Sequence, residues 1–221
     1  LMDISNIIEY TGYFLAGIVS YLLYKFKKDA KSYDIKKTLK MTNAQYNVYK
    51  KIVELADENI IRSYILEFHN GDKYISKING LKMSCTYEFV RTGYEGTNNL
   101  VKEKPVTLIT KLLHGLLNKE VEDISGLTII RCDNCVNYKK CLKCVYRIDV
   151  EELDYNYMRS LFESRGIEIA YLTVLSCEDN IYGLLIVEIK PGIDSSIYDE
   201  NDMARKIHGT ANTVSSIMSE L

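Results

Sequence analysis

The longest apolar stretch of the chain runs from Ile7 to Phe26 (IIEYTGYFLAGIVSYLLYKF), with Glu9 and Lys25 as its only charges. At 1.5 Å per helical residue it is about 30 Å long, the thickness of a bilayer's hydrocarbon core. Tyr10, Tyr13, Tyr21 and Tyr24 lie toward its two ends, where aromatic rings favour the headgroup region. A cleaved leader would carry positive charge before the run, yet Asp3 and Glu9 precede its apolar centre and Lys25, Lys27, Lys28 and Lys31 follow it. The pattern predicts a single transmembrane helix in residues 1–28, with a buried core helix as the alternative. The lysine bias places the following domain in the cytoplasm. Residues 29–41 are lysine-rich and read as a solvated helical linker.

From residue 42 the apolar positions recur at shorter periods. Tyr46, Tyr49, Ile52, Val53 and Ala56 predict a helix over 43–57, capped by Thr42 or Asn43. Strands are predicted at 60–68, stopped by Asn70-Gly71, and at 82–92, stopped by Gly93. A helix follows Pro105 over 106–117, and a short strand covers 127–130. Leu153, Tyr157, Leu161 and Phe162 predict a helix over 151–164. Strands 167–175 and 181–189 flank Glu178-Asp179-Asn180 as a hairpin, and a helix closes the chain from about 199 to 221. Met203, Ile207, Ala211, Val214 and Met218 form an apolar stripe on that helix. Buried against a second copy, it would make a parallel homodimer; the alternative keeps the stripe inside its own domain.

Four of the six cysteines fall between 132 and 144, as Cys132-x-x-Cys135 and Cys141-x-x-Cys144. Two such pairs read as a tetrahedral thiolate site, and zinc is the ion expected there. Two local disulfides or plain thiols are the alternatives, and a cytoplasmic domain favours metal. The loop at 131–147 also carries Arg131, Lys139, Lys140, Lys143 and Arg147 with Tyr138 and Tyr146. Those cations offset the negative charge of four thiolates. With a net charge of −2 for the whole chain, nucleic acid is not the expected partner.

The order of elements predicts an α+β domain over 42–221 with one central antiparallel sheet flanked by helices. Three segments, YILEFHNGD, KMSCTYEFVRTG and AYLTVLSCEDNIYGLLIVEIKPG, resemble the GAF fold, whose outline PAS-like sensor domains share. The last of them has the penultimate strand, tight turn and final strand with an early glycine that a GAF domain shows. The chain also resembles a group of proteins, several from phages and low-GC bacteria, that join a short membrane segment to a GAF-like domain with an FHNG strand-loop. The resemblance implies a small-ligand cavity between sheet and loops. The Asn-Lys-Phe-Asp-Glu pattern of cyclic-nucleotide-binding GAF domains is absent.

The candidate ligand-binding residues are few. His69 ends the first strand, where its imidazole faces such a cavity or caps the turn. On the next strand Tyr87 shares a face with Phe89 and Arg91, while Glu88 faces the other way. Tyr87, Glu88 and Arg91 either hold a polar ligand or line a solvated strand face. Cys85 and Cys177 read as small core residues, and His114 and His208 as surface or packing residues on helices. No phosphate-binding loop, dinucleotide fingerprint, metalloprotease helix or nucleophile elbow is present. The expectation is a membrane-anchored, non-enzymatic module that binds a small ligand or a protein partner. Two alternatives stay open: a phage structural or nucleotide-sequestering protein, and a redox enzyme working through Cys85, Cys177 or His69.

Overall fold

A computed structural model describes residues 4–73, 79–118, 124–130, 144–178, 180–193 and 199–220, without the side chains of 4–17, 26, 28–34, 70–73, 79 and 80. The chain divides into two compact units, Leu1–Gln45 and Tyr46–Leu221. The first unit is helical throughout its described part. It belongs to helix α1, Ile4–Glu54, which continues into the second unit.

The predicted helix start at Thr42 or Asn43 does not occur. Nothing between Ile18 and Glu54 is glycine or proline, so no residue interrupts the ladder. Thr42 caps nothing and instead donates its hydroxyl to the Thr38 carbonyl at 2.9 Å, within the helix. Ile18, Val19 and the four residues Tyr21–Tyr24 are exposed around the helix circumference. Among the described residues no helix is long and apolar enough to cross a membrane. The expected span at 7–26 falls largely on residues whose side chains lie outside the description.

The second unit is an α+β domain built on one seven-stranded sheet. Its strands are β1 (Ile60–Lys73), β2 (Asn79–Val90), β3 (Lys104–Pro105), β4 (Leu127–Ile130), β5 (Val145–Asp149), β6 (Ile169–Cys177) and β7 (Asn180–Ile189). All neighbours pair antiparallel in the order β3-β2-β1-β7-β6-β5-β4. The final hairpin thus lies beside the first. β1 runs on through Asn70-Gly71 to Lys73, past its expected stop, with a register irregularity between Asn70 and Lys73. The helix expected at 106–117 is a 3₁₀ turn, Val106–Ile109, continued by α2, Thr110–Asn118. The helix expected at 151–164 shortens to α3, Tyr157–Glu163. There the Asn156 side chain accepts from the Met158 and Arg159 amides and sets the start.

Strand alternation divides the core between the two faces of the sheet. On one face Tyr64, Leu66, Met83, Leu172, Val174, Leu184 and Ile186 pack with α2 and α3 residues such as Leu112, Leu116, Leu161 and Phe162. On the other, Ile65, Tyr171, Leu185 and Val187 pack with Val48 and Ile52 of α1 and with α4, Glu200–Ser219. The α4 stripe expected at a dimer contact is spent here: Met203, Ile207, Ala211 and Val214 are buried against the chain's own sheet, and Met218 packs beside them. Close approach dictates glycine at two described positions, Gly126, where a Cβ would meet the Leu153 amide and the Asp149 carbonyl, and Gly183. A Cβ on Gly183 of β7 would overlap the Leu66 carbonyl of β1.

Candidate functional site

Gly183 also positions the site. In a regular strand with Leu184 and Ile186 facing α2, Tyr182 would share that face. Instead Tyr182 packs on the α4 side and Ile181 on the α2 side, so the alternation is reset at Gly183. Ile181 therefore joins Phe68 of β1, Leu81 of β2, and Leu113 and Leu117 of α2 around a cleft of about 360 Å³, with His69 at its border. The two leucines are one helical turn apart, and the Leu112 and Leu116 beside them are buried.

His69 borders this cleft, and the register sets its ring beside Ser84. Met83 and Cys85 lie in the core on the α2 side, so Ser84 between them points to the other face; Phe68 lies on the α2 side, so His69 joins Ser84. The imidazole Nε2 is 2.9 Å from Ser84 Oγ, which also accepts the Glu103 amide at 2.9 Å. The imidazole, expected to face a cavity or cap the turn, thus stands at the border of the cleft beside Ser84.

The other three candidates sit toward the opposite end of β2, where Tyr64 pairs with Glu88 and Ile65 with Tyr87. Tyr87 packs at the edge of the α4-side core, and burial raises its hydroxyl above the ordinary tyrosine range. Glu88 accepts the amides of Thr97 and Asn98 and so holds the strap of residues 91–103 that links β2 to β3. Arg91 donates to the Asp57 and Ile60 carbonyls, tying the strap's start to the turn after α1. The structure does not bring these three to His69.

Sequence reading missed a buried charged cluster among the described residues. Glu188 of β7, wholly buried, accepts from Arg62 Nη1 at 2.6 Å, from the Tyr64 hydroxyl at 2.9 Å and from Arg165 Nη2. The Arg62 and Arg165 side chains are only 3% and 4% exposed. Both guanidiniums also grip the strap, Arg62 through the Glu95 carbonyl and Arg165 through Thr97 Oγ1. Burial lifts the Glu188 carboxyl above its usual range, and the two guanidiniums and the Tyr64 hydroxyl oppose that rise. Burial also pushes the Tyr64 hydroxyl up, with Glu188 adding to it. Every charged group of this knot has partners, so it fastens the strap to the sheet. The only available signal was three ionisable residues placed inside β-rich runs.

The remaining candidates separate by burial. Cys85 lies in the α2-side core, where burial first and Glu88 second push its thiol up, away from the thiolate that redox chemistry uses. Cys177 is half-buried at the end of β6, and Cys144 is buried just before β5. Cys132, Cys135 and Cys141 lie outside the described residues, and among the described residues no cluster of metal-binding side chains forms. His114 of α2 is exposed, and His208 of α4 lies 3.3 Å from Asn212 Nδ2 through its Nε2. A second cleft, of about 550 Å³, is bordered by Asp149, Glu151, Glu152, Glu163 and Glu168. Three of these already have partners: Arg147 for Asp149, Arg159 for Glu163 and the Gly192 amide for Glu168.

No protein-family model and no curated protein matches the chain. Among solved structures it is similar to the GAF domain of PixJ from Thermosynechococcus elongatus in its blue-light-absorbing form, at 13% identity and a TM-score of 0.48 over 82% of this chain and 88% of that one. A phycoerythrobilin-bound GAF domain from a cyanobacterial phytochrome gives 12% and 0.44 over 81% and 94%. A GAF domain/HD domain protein from Geobacter sulfurreducens gives 10% and 0.38 over 80% and 93%. Residues 46–221 themselves form an α+β domain on one antiparallel sheet, with a glycine early in the last strand beside β1.

Proposed function

We propose that the protein is a membrane-anchored, non-enzymatic GAF-like module that binds a small, mainly apolar molecule in the cleft between α2 and the ends of β1, β2 and β7. The cleft itself carries this reading. Its volume of about 360 Å³ and its lining of Phe68, Leu81, Leu113, Leu117 and Ile181 suit a compact ligand. Of the four candidate binding residues, His69 alone borders it; Tyr87, Glu88 and Arg91 serve the strap and the sheet. The run Ile18–Tyr24, exposed and apolar apart from Ser20, supports an anchor. The lysines that follow it support a cytoplasmic domain. Zinc on Cys132, Cys135, Cys141 and Cys144 would hold the loop between β4 and β5.

Native mass spectrometry of the full chain released from detergent, together with titration by anilinonaphthalene sulfonate, tests the cleft. The expected result is a non-covalent adduct or saturable dye binding in the native chain. Both should be lost in Leu113→Trp, whose indole fills the space. A native chain with no adduct, and dye binding indifferent to Leu113→Trp, would refute the reading.

A further inference from the structure

Ser84 of β2 makes two contacts that neither the sheet nor the core requires. Met83 and Cys85 beside it are buried on the α2 side, so its half-buried hydroxyl lies on the other face, with Glu67 of β1 opposite in register. There Oγ is 2.9 Å from His69 Nε2, the separation of a nucleophile from its base. The Glu103 amide donates to the same oxygen at 2.9 Å. Glu103 delivers that amide from a φ of 51°, and among the described residues just one other non-glycine, Glu178, has a positive φ. A left-handed backbone is unfavourable for a residue with a Cβ, and such outliers gather where a site depends on them. Lys82 stands opposite His69 in register on this face, its ammonium 3.4 Å from Glu103 Oε2.

We infer that Ser84 is a nucleophile that takes an acyl group from small carboxylic esters, with His69 as its base. The two contacts direct the serine proton. An amide can only donate, so the Glu103 N–H occupies a lone pair of Oγ and leaves the hydroxyl proton for a second partner. A neutral imidazole with its own proton on Nδ1 accepts it at Nε2. Oγ then adds to the ester carbonyl as its proton passes to Nε2. The bond from the carbonyl carbon to the alcohol oxygen breaks, and the imidazolium returns the proton to the departing alkoxide. The products are an acyl-serine and a free alcohol, with His69 neutral again. Because the Glu103 amide is spent on the nucleophile, it does not serve the oxyanion of the tetrahedral intermediate, where a donor would drive turnover. The acyl-serine therefore persists, and the step is a single modification of the protein rather than catalysis. It leaves the non-enzymatic reading intact and requires no occupant in the cleft between α2 and the sheet.

Exposure of the full chain in detergent to p-nitrophenyl acetate, followed by peptide mass mapping over time, tests this. Acetyl should appear on Ser84 roughly tenfold or more faster than on Thr86, an exposed hydroxyl of the same strand. His69→Gln keeps a hydrogen-bonding side chain beside Oγ but no base. It should slow acetylation of Ser84 by roughly tenfold or more, while the melting of the domain and the background labelling of Thr86 stay as in the native chain. A native chain with no acetyl on Ser84, or with Ser84 labelled no faster than Thr86, would overturn the inference without recourse to any variant. A folded His69→Gln chain whose Ser84 is acetylated at the native rate would overturn the role of His69 as base.

Discussion

Replacing Arg165 by methionine probes the buried knot most directly. Methionine keeps the apolar stem and removes the guanidinium's bonds to Glu188, Tyr64, Thr97 and the Leu161 carbonyl. Glu188 keeps Arg62 and the Tyr64 hydroxyl, so its carboxylate is not abandoned, but it loses the strongest influence opposing the cost of burial. Removing one partner of a buried ion pair costs about 3–5 kcal/mol. For a chain of this size each kcal/mol lowers the melting temperature by about 2–4 °C, so a fall of roughly 6–20 °C is expected near pH 7.5. The pH dependence follows from the sign of the Glu188 shift. A carboxyl raised in the folded state takes up its proton there first, so its destabilising contribution disappears as pH falls through the folded value. Without Arg165 the rise is larger, and the deficit of Arg165→Met should shrink between pH 8 and pH 4.5. The assay is thermal unfolding of the full chain followed by near-ultraviolet circular dichroism, with trypsin digestion at Arg91 and Lys102 as a local readout of the strap. A melting point within 2 °C of the native chain at pH 7.5, or a deficit that does not shrink on acidification, would refute the reasoning.

Gly183→Ala should destabilise by about 1–3 kcal/mol, because its Cβ would meet backbone rather than a yielding side chain; denaturant titration measures it. Asn156→Ala and Asp199→Ala remove helix caps, and each should cost about 1 kcal/mol in the same titration. Cys135→Ser should lower zinc, measured by elemental analysis, below one equivalent per chain while far-ultraviolet circular dichroism of the sheet persists; a native chain purified reduced and without zinc would refute that site. Val214→Asp places a charge at a wholly buried position and should unfold the domain without acting on association, since α4 is a core helix.

Much of the fold could be read from periodicity because the signal was local. The final hairpin, β4 and the closing helix were read near their observed bounds, since alternation and three-four spacing act over a few residues. β5 was not read, because its five residues adjoin the cysteine loop and seemed part of it. The 151–164 helix was read too long, because Leu153 has helical spacing yet is buried in the irregular approach to α3. Of the candidate site, the cleft's leucines were visible only as a helix face, and the role of His69 depended on which face of β1 it occupied.

What the sequence by itself determined is most of the elements and their order, though not the continuity of α1 through Thr42, because propensity, capping and period operate within one segment. Only the tertiary structure decided which apolar stripe was already used. Tyr46, Tyr49, Ile52 and Val53 read as a single face until the sheet took Val48 and Ile52 and left the tyrosines outside. It also decided that Arg62 and Glu188, 126 residues apart, would meet. That contact follows from the pairing of β1 with β7, which opposes Arg62 to Glu188 in register. A strand's own sequence sets which residues share a face, but the register that brings two strands' charges together depends on how the whole sheet closes.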